Sequence, residues 1–297
     1  MKIKYIDRNS KKIEEEKVLG DKSLRWLYEH PMGMGLLEMF FKKKFFSFIY
    51  GKVQDTKYSK RKINNFIKNF DIDMKDYKLN SGDYRTFNDF FIREINEGAR
   101  PVEKDINRLI SPADGKLLAY KNIDIQKILQ IKGITYSLVE LLDDEKLARK
   151  YDNGICIVIR LAPTDYHRFH FPDGGLAEQS KKIKGDFYSV NPIALQKVAL
   201  LYCKNKREIS LLKSDNFGDI SLIEVGATCV GSIIQTYTPG EEIKKGDEKG
   251  YFKFGGSTVI MFLEEGRVIL DEDLLVNSQN GLETKVKMGM GIASRIN

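Results

Sequence analysis

The chain has 297 residues, 42% of them hydrophobic and 31% charged, with a formal net charge of +7. That is long enough for one large domain with a real core plus an appended module, and too balanced for a disordered or collagen-like chain. Three cysteines, Cys156, Cys203 and Cys229, follow no metal or redox spacing, so a disulfide framework is not expected and the thiols read as buried or incidental ones in a reducing compartment.

The start, Met1-Lys-Ile-Lys-Tyr-Ile-Asp-Arg8, has charges but no apolar run behind it, and no stretch approaches a membrane span. The expectation is a cytoplasmic chain that meets a membrane, if at all, from the side. Residues 1–70 hold 17 Lys/Arg against 8 Asp/Glu, which points to an anionic partner for this part. The first 75 residues or so read as helical and basic. Within them, bulky apolar residues flank Lys42-Lys43-Lys44 in the run 34–50. On a helix this gives a broad apolar face with lysines that can reach headgroups. The same pattern also suits a core-facing helix with solvated lysines. Nucleic-acid binding is a third reading, but no nucleic-acid motif accompanies the charge.

Ser81-Gly82-Asp83 breaks this pattern and sets the expected boundary between residues 1–80, a helical basic membrane-associating module, and residues 81–297. Thr86 then opens a short helix with Asp89 three residues on, a capping-box arrangement. Phe87, Phe90, Phe91 and Glu94 follow at helical spacing, so the aromatics read as core. Arg93 could be structural or hold a phosphate or carboxylate.

From about residue 105 the pattern turns to strands at 117–120, 155–161, 220–225, 229–234 and 258–263. Turn signals such as Asp152-Asn-Gly154 and Pro239-Gly240 separate them. Helices are expected near 137–148 and 192–202. Without regular strand–helix alternation, the fold class is α+β: a β-rich domain behind an N-terminal helical module.

The stretch 245–259 is the most informative. Gly255-Gly256-Ser257-Thr258 leads into the apolar run Val259–Leu263. Glycines permit close approach to a backbone carbonyl, and a Ser hydroxyl in such a turn can attack the carbonyl before it. The alternative is an ordinary tight turn before a strand. Two segments offer partners for Ser257. Ser111-Pro-Ala-Asp114-Gly115 carries a carboxylate, and Tyr166-His167-Arg-Phe-His170-Phe-Pro172 holds two of the chain's three histidines. Asp114, His170 and Ser257 could form a base-activated nucleophile. Singly, Asp114-Gly115 is a common turn pair, and the histidines could be a solvated loop or a metal half-site lacking a third ligand.

Taken together these segments resemble the phosphatidylserine decarboxylases, pyruvoyl-dependent enzymes of phospholipid synthesis. The matching blocks are Thr86–Ile95 with Gly98-Ala-Arg-Pro101, Ser111–Gly115, His167–Pro172, Asn191-Pro192, Val225–Ile233 and Gly246–Thr258. They run in the family's order. The family often has Leu before Gly-Ser-Thr, where this chain has Phe254-Gly255-Gly256.

The resemblance implies self-cleavage between Gly256 and Ser257 into chains 1–256 and 257–297, which stay associated. Ser257 Oγ would attack the Gly256 carbonyl, with His170, held by Asp114, taking the hydroxyl proton. Elimination and hydrolysis with loss of ammonia would leave Ser257 as a covalent pyruvoyl group, the cofactor. That group would form a Schiff base with the amine of phosphatidylserine and accept the electron pair as carbon dioxide leaves, giving phosphatidylethanolamine. His167 would return a proton to the product. No metal is expected. The implied partner is an anionic phospholipid surface on the cytoplasmic side of the cell membrane, bound peripherally. A homodimer stays an open option, and the Val225–Ile233 segment is expected to support the cleavage turn. Three other readings remain: the same chemistry on a soluble amino acid, a serine hydrolase using Asp114, His170 and Ser257, and a β-rich binding domain with a basic tether.

Overall fold

A computed structural model describes residues 2–131, 134–228 and 232–296. The architecture is α+β. Its centre is an 11-stranded sheet in which Ile155–Leu161 pairs antiparallel with Ser257–Leu263, and that strand pairs antiparallel with Gly218–Gly226. The first two of these strands are buried along their whole length, which explains why they read as continuous β-branched and apolar runs rather than alternating ones. Successive side chains point to opposite faces. Cys156, Val158, Ile223, Ile260 and Phe262 therefore join the core on one face, and Ile157, Ile159, Leu222, Val259 and Met261 join the core on the other.

A three-stranded sheet, Ile233–Gln235, Glu248–Phe252 and Arg168–His170, contributes Ile233, Phe169 and Phe252 to that second core. It carries the histidine segment. A further sheet joins Val268–Leu270, Gly291–Arg295 and Arg108–Ile110. The expected helices are observed as pairs of short ones, Leu138–Leu142 with Glu145–Arg149 and Pro192–Leu195 with Leu201–Lys204. Of the strand expected at 229–234, the structure has Ile233–Gln235; residues 229–231, Cys229 among them, lie outside the described residues. Cys156 is buried and Cys203 half-buried, both as free thiols.

The helical reading of the N-terminus needs correction at its start. Lys4–Asp7 and Ile13–Glu15 are strands, and the first pairs in parallel with Glu283–Val286 from the far end of the chain. Glu16, just after them, is locked to the buried Arg160 guanidinium, which Glu283 holds from the other side. Helices then follow, among them Asp21–Glu29, Lys44–Gln54 and Ile63–Phe70. The Lys44–Gln54 helix has two distinct faces. Phe46 and Tyr50 turn inward, Tyr50 packing on Phe254, while Phe45, Phe48, Ile49 and Val53 are exposed.

Thr86 caps the short helix Phe87–Phe91 by accepting from the Asp89 amide, while Asp89 accepts from the Arg85 amide. Phe87, Phe90 and Phe91 are buried with Ile63, Phe66, Tyr84 and Phe254. The helix stops at Phe91, so Glu94 falls beyond it and is exposed. Arg93 is structural: it donates to the carbonyls of Thr164 and Asp165 and to the Tyr77 hydroxyl.

Candidate active site

Ser257 is the first residue of the central strand, paired with Leu161 on one side and Gly226 on the other. Its side chain is fully buried, and its Oγ has no hydrogen-bond partner. A buried hydroxyl left unpaired is destabilising by about 1–3 kcal/mol; the hydroxyls of Ser210, Ser221 and Thr258 are in the same state, and what sets Ser257 apart is its place directly after the Gly255 turn. Period 2 puts Ser257 on the face shared with Val259 and Met261, toward the small sheet that carries the histidines.

The preceding turn is shaped by glycine at one position rather than two. Gly255 has φ 140°, a region closed to residues with a Cβ. At Gly256 a Cβ would meet only ordinary contacts, with Val190 Cγ2 at 3.5 Å and the Leu161 carbonyl at 3.9 Å. Gly256 also lines a cleft of about 190 Å³ whose walls include Tyr50, Asn191, Thr228 and Phe254. The Ser257 side chain, by contrast, is fully buried.

The histidine nearest this turn is His167. Its Nε2 lies 3.0 Å from the Gly255 carbonyl oxygen and its Nδ1 2.9 Å from that of Asp165, and the ring packs on Phe91. Burial pushes its pKa down to about 4, opposed by the carbonyl contact and the charge of Asp165. The ring is therefore neutral at pH 7 and has one proton for two carbonyl acceptors. The loop that carries it is fixed from below. The Lys116 ammonium is 2.9 Å from the Asp165 carboxylate, which also accepts from the Ala162 amide. Burial raises the Asp165 pKa, but Lys116, the Ala162 amide and His167 together outweigh it and the net shift is downward.

His170 lies in the strand Arg168–His170, and its amide donates to the Pro112 carbonyl. The histidine segment and the Ser111–Gly115 segment are thus neighbours. Their side chains, however, are engaged elsewhere. His170 Nδ1 is 2.9 Å from the Gly246 carbonyl oxygen, and Nε2 is 3.2 Å from the Tyr166 hydroxyl. Burial lowers its pKa as well. Asp114 is held by Arg100 through Nε and Nη2 at 2.8–3.0 Å, and accepts from the Met288 amide. The expected chain of Asp114, His170 and Ser257 is therefore not hydrogen-bonded in this arrangement; the Arg100 fork outcompetes the imidazole for the carboxylate. Asp165, Lys116, Arg100 and Asn88, whose Oδ1 accepts from the Phe254 amide at 2.9 Å, were not singled out from the sequence. Arg100 did lie inside a recognised block, but nothing in its spacing pairs it with Asp114.

Among the described residues no group of three or more His, Cys, Asp or Glu is arranged to hold a metal, and no helix is long and apolar enough to cross a membrane.

The family model for phosphatidylserine decarboxylase matches residues 87–294, a span holding Ser257, both histidines, Asp114 and Asn88. Over 294 residues, 99% of this chain and 100% of the relative, the sequence is 54% identical to a phosphatidylserine decarboxylase proenzyme of Clostridium novyi (strain NT). It is 56% identical over 293 residues, 99% of each chain, to one of Clostridium botulinum (strain 657 / Type Ba4). It is 54% identical over 294 residues, 99% of each, to one of Clostridium beijerinckii. With a family match over more than two thirds of the chain and relatives of this identity from end to end, the chain belongs to the phosphatidylserine decarboxylase family.

Proposed function

We propose that the chain is a proenzyme that splits itself between Gly256 and Ser257 and then decarboxylates phosphatidylserine to phosphatidylethanolamine and carbon dioxide. The observation that carries this is Ser257 Oγ, buried without a partner directly after a turn that glycine alone can form. The residues fit a pyruvoyl group made from Ser257: a hydroxyl adjoins the Gly256 carbonyl, and a cleft at Gly256 admits a ligand. Such a group supplies an electron sink for the pair released with carbon dioxide.

The chain's own residues would divide the remaining work. In maturation His170, with Asp114 behind it, takes the Ser257 proton; this requires Asp114 to exchange Arg100 for the imidazole as the turn closes. In turnover His167 delivers the proton to the product carbon, which suits a neutral ring already at the Gly255 carbonyl. Phe91 and Phe254 exclude water from its surroundings. That same 3.0 Å contact favours a second reading, in which His167 is itself the base of maturation.

The exposed face of Phe45, Phe48, Ile49 and Val53, flanked by Lys43 and Lys52, supports peripheral docking on an anionic membrane on the cytoplasmic side. Each basic residue near such a surface contributes about 1 kcal/mol. Residues 1–80 would supply this docking layer and residues 81–297 the chemistry. After cleavage, chains 1–256 and 257–297 would remain one body, because Ser257–Leu263 pairs on both sides with strands of the larger chain.

Intact mass under denaturing conditions tests the cleavage: two chains are expected, the smaller with a pyruvoyl in place of Ser257, together with carbon dioxide release from phosphatidylserine vesicles. His170→Ala should stay whole, and His167→Ala should split yet turn over poorly. An unsplit His167→Ala with a split His170→Ala would install the second reading. A single wild-type chain labelled by a serine-directed reagent would favour a hydrolase.

A further inference from the structure

Asn88 sits in the helix Phe87–Phe91 and is 3% exposed. Its side chain makes three contacts, all to other segments. Oδ1 accepts from the Phe254 amide at 2.9 Å, at the mouth of the scissile turn. Nδ2 donates to Asp55 Oδ1 at 2.8 Å and to the Gly51 carbonyl at 3.4 Å. Because an amide nitrogen can only donate, Phe254 fixes which end of Asn88 is oxygen, and the other end must face Asp55 and Gly51. Aromatic packing doubles the connection. Phe254 lies against Tyr50 of the Lys44–Gln54 helix, with ring centroids 5.8 Å apart, and against Phe91 at 5.0 Å. Phe91 in turn packs on His167 at 4.0 Å.

We propose that Asn88 is a positioning residue for self-cleavage, clamping the turn before Gly256–Ser257 to the Gly51–Asp55 end of the helix that exposes Phe45, Phe48 and Ile49. This rests on the reading that the chain splits at that bond. The Lys253 ammonium, 3.7 Å from Asp55, is a looser and part-exposed tie between the same segments, whereas the Asn88 contact to Phe254 is buried. Gly255 itself can adopt conformations closed to other residues, and its carbonyl contacts His167. A carboxamide is suited to the position because it accepts from the turn and donates to the helix at once. A carboxylate keeps the first contact, loses the second and faces Asp55 with like charge.

The test uses the difference between those two ends. Full-length chains are made by cell-free synthesis, and the fraction split is followed in time for wild type, Asn88→Asp, Asp55→Asn and the double variant, with Ser257→Ala as the unsplit control. Losing a buried hydrogen bond and gaining repulsion should slow splitting of Asn88→Asp at least about tenfold. Asp55→Asn still accepts from Asn88 and loses only a part-exposed 3.7 Å ion pair with Lys253, which contributes little, so it should stay close to wild type. In the double variant the new carboxylate at position 88 accepts both from the Phe254 amide and from the new carboxamide at position 55. Splitting should then recover to nearly the Asp55→Asn rate. Thermal midpoints are taken on the same four chains in the Ser257→Ala background. Wild-type splitting by Asn88→Asp overturns the proposal. So does a double variant that recovers its thermal midpoint but not its rate, since a clamp that has been remade should restore both. A wild-type chain that stays whole would instead overturn the cleavage reading itself.

Discussion

His167 should dominate a measurable part of the protein's response to mild acid. Its ordinary pKa is near 6.5, and burial lowers it to about 4 in the folded chain. Between those values the unfolded chain binds a proton that the folded chain refuses, so stability falls as pH falls. Well above pH 6.5 both forms are neutral and the contribution vanishes. The full difference is about 3 kcal/mol, of which about 2 kcal/mol is lost between about pH 7.5 and about pH 5. The buried carboxylates Asp165 and Glu16 act in the opposite window. Their pKa values are depressed in the fold, so their stabilisation is present above the unfolded carboxylate range and lost only in stronger acid. His170 slopes the same way as His167 and must be held constant. The assay is urea unfolding of Ser257→Ala at the two pH values, with and without His167→Asn, so that a single chain unfolds throughout. The chain that keeps His167 should lose about 2 kcal/mol more than the His167→Asn chain on going to about pH 5. Parallel losses, or a smaller loss with His167 present, would refute the argument. They would mean that the folded ring is charged and donates to both the Asp165 and Gly255 carbonyls.

Other substitutions separate function from fold. Ser257→Ala should leave the chain whole and, because the native hydroxyl is unpaired, leave its unfolding free energy unchanged or higher; a loss above about 1 kcal/mol would reveal a hidden partner. Gly255→Ala forces a Cβ into φ 140° and should destabilise the chain by about 1–3 kcal/mol while slowing splitting. Arg160→Met would strand Glu16 and Glu283 as buried carboxylates, a loss of about 3–5 kcal/mol or roughly 5–8 °C in Tm by calorimetry. Phe45→Ser with Phe48→Ser should weaken flotation with anionic vesicles while leaving Tm within about 1 °C, since both rings are already in solvent.

The strands flanking the site were readable because burial on both faces leaves a continuous apolar signature, as in Ile155–Leu161 and Ser257–Leu263. Lys4–Asp7 and Ile13–Glu15 were not, for the opposite reason. They are short and charged, and their only reason to be strands is Glu283–Val286, which lies at the far end of the sequence. At the site, residue types identified Ser257, His167 and His170, since a serine after two glycines and a histidine pair are rare. What local sequence cannot weigh is competition. Asp114 has both an imidazole and a guanidinium within its neighbourhood, and only the tertiary arrangement awards it to Arg100. Asn88 was hidden for a similar cause: inside a run of phenylalanines it reads as the polar side of a helix, whereas its three partners lie 33 to 166 residues away.

The placement of Ser257–Leu263 in the middle of the large sheet has a consequence for the life of the molecule. If the proposed cut falls between Gly256 and Ser257, it falls where the chain enters this strand, and the strand is placed while the connection is intact. After cutting, the strand still pairs with both neighbours, but a chain that later opens cannot return by the route it took. It would have to re-insert a short fragment between two strands of another polypeptide, a bimolecular step for which the original sequence provided no practice. The mature protein would then persist because it unfolds slowly, not because it refolds, and its working lifetime becomes a matter of rate rather than equilibrium.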